Sequence, residues 1–365
     1  MTKRTRTPRD TTSTVAPRAR RIAVIGAGMA GIACARTLVQ AGHQVQLFER
    51  NALPGGRMAT EDTAFGGFDH GAQYFTVRDP RFQQALALSP KLCKAWSANT
   101  VRVLDAYGRV AAASLPATEA HWVPTPGMSA LPRHWAAPLV AQQAVEFDTQ
   151  VTAIGRDALQ PQQWQLATMG ATGAPDAQRV FGGFDDVVLA VPHAQAVQLL
   201  RASSLAAALQ RQLAPVSVGP CWTLLLAFPQ AMQAGLSHLG PQWNAARSTH
   251  HRIAWLARES SKPGRGSVER WTVQASTAWS AEHLQDDAPR VLAKLRKAFS
   301  EVTGIRAEPA FASVHSWHQA QTLTPLGDSH LWDAKLRVGV CGDWCLGHRV
   351  ENAFVSGLEL ALAMA

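Results

Sequence analysis

The amino-acid sequence predicts an α/β fold with two domains, on three observations. The 365 residues are 47% hydrophobic, enough to bury the cores of two domains of about 100–200 residues each. A β-branched strand, a glycine-rich turn, a helix and a second strand follow one another between residues 21 and 49. Further buried-strand patterns at 186–192 and 336–341 supply strands that can pair in parallel with the first two.

A phosphate-binding turn is predicted where the first strand meets the first helix. The strand Ile22–Ile25 ends at a G-x-G-x-x-G run, residues 26–31, and a helix is expected over Ala33–Leu38, stopping near Gly42. In such a turn the first glycine allows the tight bend and the second lets a pyrophosphate approach the backbone. The third lets helix and strand pack closely. The free N–H groups and the dipole of the helix start then hold the anion.

An acidic residue completes this Rossmann-type pattern. The second strand, Val45–Phe48, ends at Glu49, 23 residues after Gly26. A carboxylate at this point accepts hydrogen bonds from ribose hydroxyls and disfavours a 2′-phosphate, so NADP is not expected here. The residues of this unit expected to contact a dinucleotide are Gly26, Gly28, Met29, Ala30, Gly31, Glu49 and Arg50.

Two further motifs indicate which cofactor is bound. Gly55-Gly56-Arg57-Met58 follows six residues after Glu49, and Gly342-Asp343 follows a strand near the C-terminus. With these motifs the chain resembles the flavoprotein group that includes amine oxidases, phytoene desaturases and renalases. The resemblance implies non-covalent FAD, with the backbone of Gly55 and Gly56 close to it. Arg57 is implied to lie by the pyrophosphate and flavin, and an arginine offers fixed donors to phosphate oxygens. Met58 belongs to the same segment, and Gly55–Met58 is called the cofactor loop below.

The same resemblance assigns contacts outside that loop. Asp343 is implied to lie on the ribityl chain or pyrophosphate, with helix N-capping as the alternative role. A helix starting near Asn352 points at the flavin pyrimidine ring, with Asn352 and Ala353 at the edge of the ring. Its N-terminus would stabilise the negative charge that develops there on reduction. A crossing strand that includes Val151 contacts adenine through its backbone.

A narrower resemblance is to the renalase branch of the group. It rests on Asp69–Thr76, Pro126–Leu131 and Gly342–Gly347, which occur in the same order in bacterial renalases. In the first of these segments Gln73 and Tyr74 are implied to approach the flavin. His70 either approaches it as well or is an ordinary core histidine.

The renalase resemblance implies an FAD-dependent oxidase. The implied substrates are the 2- and 6-dihydro isomers of NAD(P), oxidised to NAD(P)+ by hydride transfer to flavin N5, with O2 reduced to H2O2. The expected partners are therefore a small dihydronicotinamide and O2, and we expect a monomer. The alternative is a flavin amine oxidase or desaturase that acts on another small substrate. Amine oxidases of this group usually present a lysine near flavin N5. The seven lysines of this chain all stand in polar or helical, surface-like contexts, which weakens the amine oxidase alternative.

Four residues are expected to line the substrate pocket. Trp222 and Trp317 align with aromatic positions of the renalase pocket, where a planar nicotinamide would stack, although core packing is the alternative for any one tryptophan. Gln274 stands where renalases commonly carry histidine, and it can hydrogen-bond a carboxamide but cannot carry a proton charge. His318 either contacts a substrate phosphate or faces solvent. No catalytic residue is assigned, because oxidation of a dihydronicotinamide needs no general base.

Charge and composition exclude other classes of protein. Residues 1–21 contribute +6 of the net charge of +9, as seven Lys or Arg against Asp10. Residues 1–20 are therefore predicted to form a disordered basic tail, with a transit peptide as the alternative, and the body is not expected to bind nucleic acid. The sequence contains no run of about 18 apolar residues, so no membrane span is predicted. Five scattered cysteines argue against disulfides and against a metal site, and they fit a cytoplasmic location.

The order of the motifs predicts that the FAD-binding domain is discontinuous. Its pieces are expected at 20–76, 125–200 and 325–365. The intervening segments, 77–124 and 201–324, are expected to form an α+β substrate domain. Alternating patterns predict three of its strands, at Trp222–Phe228, Ile253–Ala257 and Glu269–Ser276.

Overall fold

The computed structural model describes residues 18–97, 101–112, 119–170, 178–232, 241 and 243–365. The predicted basic tail lies outside the described residues as far as residue 17. The strands of the described ranges are β1 (Arg21–Ile25), β2 (Gln44–Phe48), β3 (Thr60–Thr63), β4 (Gly66–Asp69), β5 (Cys93–Trp96), β6 (Arg102–Leu104), β7 (Val110–Ala112), β8 (His121–Pro124), β9 (Val145–Glu146), β10 (Thr149–Arg156), β11 (Trp164–Gly170), β12 (Arg179–Phe184), β13 (Asp186–Leu189), β14 (Ser217–Phe228), β15 (Ala245–Ser248), β16 (Ile253–Arg258), β17 (Glu269–Ala275), β18 (Phe311–Thr324), β19 (Leu331–Asp333) and β20 (Val338–Val340). The helices are α1 (Met29–Gln40), α2 (Pro80–Ala87), α3 (Ala130–Ala141), α4 (His193–Ala202), α5 (Ala207–Leu213), α6 (Thr277–Glu282), α7 (Ala288–Thr303), α8 (Asp343–Leu346) and α9 (Val350–Met364).

A six-stranded sheet in the order β9-β2-β1-β13-β20-β19 carries the glycine-rich turn, and all its pairs are parallel except β19 with β20. Its central strand β1 is buried from both sides. Ile22 and Val24 pack in one cluster with α1 and α9, whereas Ala23 and Ile25 pack with the opposite layer that includes β10 and β11. Because parallel strands end at the same edge, the residues that follow β1, β2 and β20 meet there.

The first and last helices are in direct contact on this sheet. A Cβ on Gly357 of α9 would lie 2.0 Å from the carbonyl oxygen of Ala30 in α1, so the two backbones approach as closely as glycine allows. The C-terminal helix therefore forms part of the structure around the glycine-rich turn.

A seven-stranded sheet in the order β18-β14-β17-β16-β15-β6-β7 forms the second layer. Its pairs are antiparallel except β15 with β6. One face of the sheet packs against α7, with Trp222, Leu224 and Leu226 in the shared core. The opposite face, called the inner face below, carries Thr223 and Leu225, and Leu225 packs against Phe68 of β4. Side chains alternate between the two faces along each strand, so the register decides which residues can reach a ligand.

The structure corrects three predicted boundaries. Helix α9 begins at Val350, two residues before the predicted start at Asn352, and α1 begins at Met29 rather than Ala33. Arg20 does not belong to a disordered tail, because its guanidinium lies 3.1 Å from the fully buried carboxylate of Asp186. No helix in the described part of the chain has both the length and the apolar composition that a membrane span needs.

Candidate cofactor and substrate site

The glycine-rich turn is packed against protein at two of its glycines and open at the third. Gly26 has a φ of +103°, and a Cβ there would lie 2.5 Å from the Ala190 oxygen. A Cβ on Gly31 would lie 1.9 Å from the Gly26 oxygen, whereas a Cβ on Gly28 would meet no heavy atom within 4 Å. The space at Gly28 is what a bound phosphate requires. Met29 and Ala30 bury their side chains, so any cofactor contact they make comes from their backbone N–H groups.

Glu49 is held in place at the end of β2. Its Oε2 accepts the Ala27 N–H at 2.8 Å, and its Oε1 accepts the Asn51 backbone N–H at 2.9 Å and the Asn51 side-chain amide at 2.7 Å. The carboxylate is therefore oriented beside the glycine turn before any ribose arrives. Arg50 points to solvent. Asn51 was not predicted from the sequence, although an asparagine two residues after an acid is a signal for a local hydrogen bond of this kind.

The Gly55-Gly56 turn lies directly against the glycine-rich turn. Gly55 donates its N–H to the Ala27 oxygen at 2.9 Å, and a Cβ on Gly56 would lie 3.4 Å from the Cα of Gly28. Both glycines have positive φ, +138° and +54°. The two motifs therefore line one cleft. Met58 is buried behind it.

Arg57 and Asp343 meet although they are 286 residues apart, with Nη2 of Arg57 2.5 Å from Oδ1 of Asp343. Both predicted cofactor residues thus lie at the cleft, each partly exposed to it. Asp343 is the first residue of α8, and Asn352 donates its side-chain amide to the Gly347 oxygen at 3.0 Å. Ala353 lies in the first turn of α9, where its N–H bonds the Arg349 oxygen at 3.1 Å.

Two side chains near the cleft have structural surroundings. Cys345 is fully buried, and burial raises the pKa of its thiol, so it is not a reactive group for covalent flavin attachment. Val151 is buried in β10, the strand that begins next to Glu49 through a 2.9 Å bond from the Thr149 N–H to the Glu49 oxygen.

The loop after β4 is fixed through three successive carbonyl groups. The oxygen of Asp69 accepts the side-chain amide of Gln73, and the oxygen of His70 accepts the Trp317 indole N–H at 2.9 Å. The oxygen of Gly71 accepts Gln73 at 3.1 Å and Gln274 at 2.7 Å. The next peptide N–H, that of Ala72, bonds the Arg57 oxygen at 2.8 Å. The loop is thereby clamped between the inner face of the sheet and the cofactor loop.

A buried ionic cluster lies under this loop, and it corrects the prediction that every lysine is at the surface. The side chain of Lys262 is 0% exposed, with Nζ 3.0 Å from Oδ2 of Asp69, 2.8 Å from Oε1 of Glu259 and 3.3 Å from Oε1 of Gln73. Arg265 also contacts Asp69, at 2.6 Å.

Charge and desolvation act in opposite directions on the two acids of this cluster. Burial alone raises the pKa of Asp69, but Lys262 and Arg265, with hydrogen bonds from Met128 N–H and Thr60, outweigh it and hold that pKa below its usual value. Burial dominates at Glu259 and raises its pKa, although Lys262 opposes the rise. The argument from surface lysines against amine oxidation therefore does not hold.

Three rings form an aromatic cluster on the inner face. His70 stacks on Trp317, with centroids 5.3 Å apart and an interplanar angle of 13°, and both contact His315. The pKa of His70 is lowered to about 4, mainly by burial and secondly by the neighbouring His315, while Asp69 opposes the shift. Nδ1 of His70 is buried without a hydrogen-bond partner in the described structure, so His70 is not an ordinary satisfied core histidine.

The predicted pocket residues divide into three groups. Trp317 and Gln274 lie on the inner face, where Gln274 is bonded to Gly71. Trp222 does not line the pocket: it faces α7, and its indole N–H donates to the His283 oxygen at 3.0 Å. His318 is exposed, which fits the solvent-facing alternative. Tyr74 packs on the sheet beside Trp255 (ring centroids 5.6 Å apart).

These features fit FAD on chemical grounds. The open side of Gly28, the carboxylate of Glu49 and the Arg57–Asp343 pair all line one cleft at the carboxyl ends of β1, β2 and β20. Glu49 provides an acceptor for ribose hydroxyls, Gly28 provides a space for phosphate, and Arg57 with Asp343 provides a cation and an acid for the pyrophosphate and ribityl region.

Comparisons with known proteins agree with this arrangement. Residues 97–365 match the family described as flavin containing amine oxidoreductase, and residues 24–87 match the NAD(P)-binding Rossmann-like domain. Over 212 residues the chain is 29% identical to the tRNA 5-methylaminomethyl-2-thiouridine biosynthesis bifunctional protein MnmC of Magnetococcus marinus, covering 46% of this chain and 29% of that protein. Over 59 residues it is 42% identical to the hydroxyneurosporene desaturase of Cereibacter sphaeroides, covering 16% of this chain and 12% of that protein. The chain thus spans less than a third of the length of these curated relatives.

Solved structures share the fold over nearly the whole chain. A protein provisionally named protoporphyrinogen oxidase, from Exiguobacterium sp. 255-15, superposes with a TM-score of 0.72 at 13% identity, covering 95% of this chain and 99% of that one. A redesigned putrescine oxidase superposes with a TM-score of 0.65 at 12% identity, covering 95% and 98% of the two chains. At these identities the likeness establishes the fold alone.

Proposed function

The chain belongs to the family of flavin-containing amine oxidoreductases and is an FAD-dependent oxidoreductase, and from that premise we propose that its substrates are dihydronicotinamides. Specifically, we propose a renalase-like oxidase that converts 2- or 6-dihydroNAD(P) to NAD(P)+ with reduction of O2 to H2O2. When bound, FAD would supply the redox chemistry: it would accept a hydride, which is two electrons with one proton, from the substrate and pass the electrons to O2, which gives H2O2 with that proton and a second one from solvent.

The observation that carries this proposal is the neutral, aromatic character of the inner face. His70 stays uncharged near neutral pH because its pKa is lowered to about 4. His70, His315 and Trp317 therefore present stacked rings without charge, which suit a planar heteroaromatic ring. The strand positions of the inner face carry no Asp or Glu from β14 to β18 in the described ranges. The nearby carboxylates of Asp69 and Glu259 are already paired with Lys262 and Arg265, so a substrate ammonium group would find no free carboxylate partner there.

The described residues near these rings also match what dihydronicotinamide oxidation requires. The reaction removes a hydride from carbon and leaves no N–H or O–H proton to be taken up, so it needs no general base and does not depend on the protonation of His70. Gln274 bonds Gly71 through its amide nitrogen, which leaves its amide oxygen as an acceptor for a carboxamide.

Amine oxidation is the second candidate, and buried Lys262 is the observation that favours it. Lys262 lies beneath Gln73, at the loop expected to approach the flavin, and a buried cation at that place is compatible with chemistry on an amine. The two candidates differ in the compound that reduces the flavin, so one experiment separates them.

The decisive experiment is anaerobic stopped-flow absorbance of the purified yellow protein. It is mixed with 6-dihydroNAD, 2-dihydroNAD, ordinary 4-dihydroNAD and a panel of amines. Fast bleaching of the flavin band by a 2- or 6-isomer only, followed by H2O2 when air is admitted, is the expected result. Bleaching by an amine instead refutes the dihydronicotinamide proposal and supports the second candidate, and bleaching by none of the compounds refutes the proposal and leaves the substrate unassigned.

A pair of tryptophan variants ties the reaction to the inner face. Trp317→Leu removes the ring stacked on His70, and we expect slower flavin reduction by the dihydronicotinamide. Trp332→Leu, at a half-buried position on β19 in the other sheet, is the matched control and should leave that rate unchanged. Equal effects of the two substitutions would indicate general destabilisation rather than substrate stacking.

A further inference from the structure

Five side chains form one row across the inner face, one from each of five adjacent strands. The register places opposite each other the pairs His315–Thr223, Thr223–Gln274, Gln274–Trp255 and Trp255–Arg247. Residues that are directly opposite in a sheet project from the same face, so the row runs without a break from the His70 cluster to Arg247.

The two residues at the far end of this row have unused hydrogen-bond donors. Trp255 is only 9% exposed, yet its indole N–H is buried with no acceptor in the described structure. A buried donor without a partner is rare in native proteins and calls for an explanation, such as a ligand that supplies the acceptor.

Arg247 stands beside that donor and is free to bind an anion. It is exposed, and no carboxylate of the described ranges lies within ion-pair distance of its guanidinium, while its neighbours Ala245 and Ala246 are 0% exposed. β15 has strands on both sides, β16 and β6, so Arg247 is not at a sheet edge. Its exposure therefore marks the place where the inner face opens to solvent.

We propose that Arg247 and Trp255 bind the ribose phosphate that is attached to the substrate ring. The assignment rests on the proposed function, in which the ring lies near His70, Trp317 and Gln274. Gln274 and Arg247 are two strand spacings apart, about 10 Å, a span comparable to one ribose and its phosphate. Arg247 provides a forked donor for phosphate oxygens, and Trp255 provides a single N–H for a ribose or phosphate oxygen.

The test compares two substrates that differ only in the phosphate. These are a dihydronicotinamide mononucleotide and the corresponding riboside, of whichever isomer reduces the wild-type flavin. In Arg247→Met we expect kcat/KM for the mononucleotide to fall about 10- to 100-fold, as for loss of a charge-assisted hydrogen bond, and kcat/KM for the riboside to change less than about twofold. Arg247→Lys restores part of the loss, because it returns the charge without the fork.

A binding measurement and a control variant accompany the kinetics. The oxidised mononucleotide and riboside are titrated against the holoenzyme and followed by the flavin spectrum, and only the mononucleotide should lose affinity in Arg247→Met. Lys297→Met removes the same charge from the solvent-exposed face of α7, on the far side of the sheet, and should change neither substrate.

The outcomes separate this inference from the proposed function. If the wild type is reduced by both compounds and Arg247→Met affects both equally or neither, the phosphate assignment is wrong and the proposed function stands. If 2- and 6-dihydroNAD do not reduce the wild type, the proposed function fails and the assignment fails with it; if they do but neither the mononucleotide nor the riboside does, the assignment alone fails. Selective loss with the mononucleotide in both measurements supports the subsite.

Discussion

Replacing Gly28 with alanine tests the cofactor cleft without disturbing the fold. Gly28 is the N-cap of α1 with φ −76° and ψ −179°, a conformation open to any residue. An added Cβ meets no heavy atom within 4 Å. The methyl group therefore points into space that the proposed pyrophosphate would occupy, and we expect Gly28→Ala to fold normally and to bind FAD weakly.

The size of the effect follows from the groups involved. In the apoprotein, alanine gains about 0.4–1 kcal/mol by restricting the unfolded chain. As an N-cap it is worse than glycine by a similar amount, so the two terms nearly cancel. In the holoprotein, displacing a phosphate from a backbone N–H costs about 1.5–3 kcal/mol, the value of a hydrogen bond to a charged group. This corresponds to a Kd for FAD raised about 10- to 150-fold.

The assay titrates apoprotein with FAD and follows the quenching of flavin fluorescence, alongside urea unfolding of the apoprotein. Gly155→Ala is the matched control, because a Cβ there meets nothing closer than 4.0 Å and the residue lies on β10 away from the cleft. Gly31→Ala is the opposite control, because its Cβ would lie 1.9 Å from the Gly26 oxygen and should destabilise the fold itself. FAD binding by Gly28→Ala as tight as in the wild type would refute the placement of the pyrophosphate.

Three further predictions concern the seven-stranded sheet and its junction with the cofactor loop. Lys262→Met leaves Glu259 without its cation and should lower the free energy of unfolding by about 3–5 kcal/mol at neutral pH. Because burial raises the pKa of Glu259 in the native state, this loss of stability should be smaller near pH 5. Urea midpoints that fall equally at both pH values would contradict the pairing. The pKa of His70 is lowered from 6.5 to about 4, so between these pH values the unfolded chain holds more protons than the native state. Stability is therefore lost as the pH falls, by about 2 kcal/mol from pH 7 to pH 5. His70→Phe should flatten that part of the plot of stability against pH, and an unchanged slope would show that His70 does not titrate this way. Trp222→Phe should lower the free energy of unfolding by about 1–2 kcal/mol, through lost packing and an unpaired His283 oxygen, while KM stays unchanged. A raised KM with wild-type stability would indicate that Trp222 does line the substrate pocket.

The cofactor half of the site was predictable because its signals are local. The glycine-rich turn, Glu49 and the Gly55-Gly56-Arg57 run each specify a backbone shape or a charge at a fixed distance along the chain. Their meeting with Asp343 follows from the rule that parallel strands end at one edge. Helix starts were misjudged by two to four residues, because the free N–H groups of a first turn leave little mark on the sequence.

The substrate half was harder because its surroundings come from distant residues. Lys262 sits in the polar run Ser260-Ser261-Lys262-Pro263-Gly264, which is typical of an exposed turn. Its burial depends on Asp69, 193 residues away in the chain. A single sequence carries no sign of such a pair.

Trp222 was assigned to the wrong face because both faces of its sheet are covered. The period-two run Trp222, Leu224, Leu226 and Phe228 is apolar throughout, but the intervening Leu225 and Ala227 are apolar too. Only Thr223 distinguishes the other face, so the sequence gives a weak signal for the helix-packed side. Likewise His318 follows Trp317 on one strand, so alternation alone predicts that only one of them reaches the inner face.

The contact between Gly357 and Ala30 has a consequence for how the protein matures. The ribosome synthesises α9 more than 300 residues after the glycine-rich turn, so the wall that α9 contributes is absent while the intervening residues are made. A nascent chain of that length can form β1, α1 and β2, but it lacks both Asp343 and the closing helix. The complete cofactor cleft therefore forms only after α9 has been synthesised and has packed on α1.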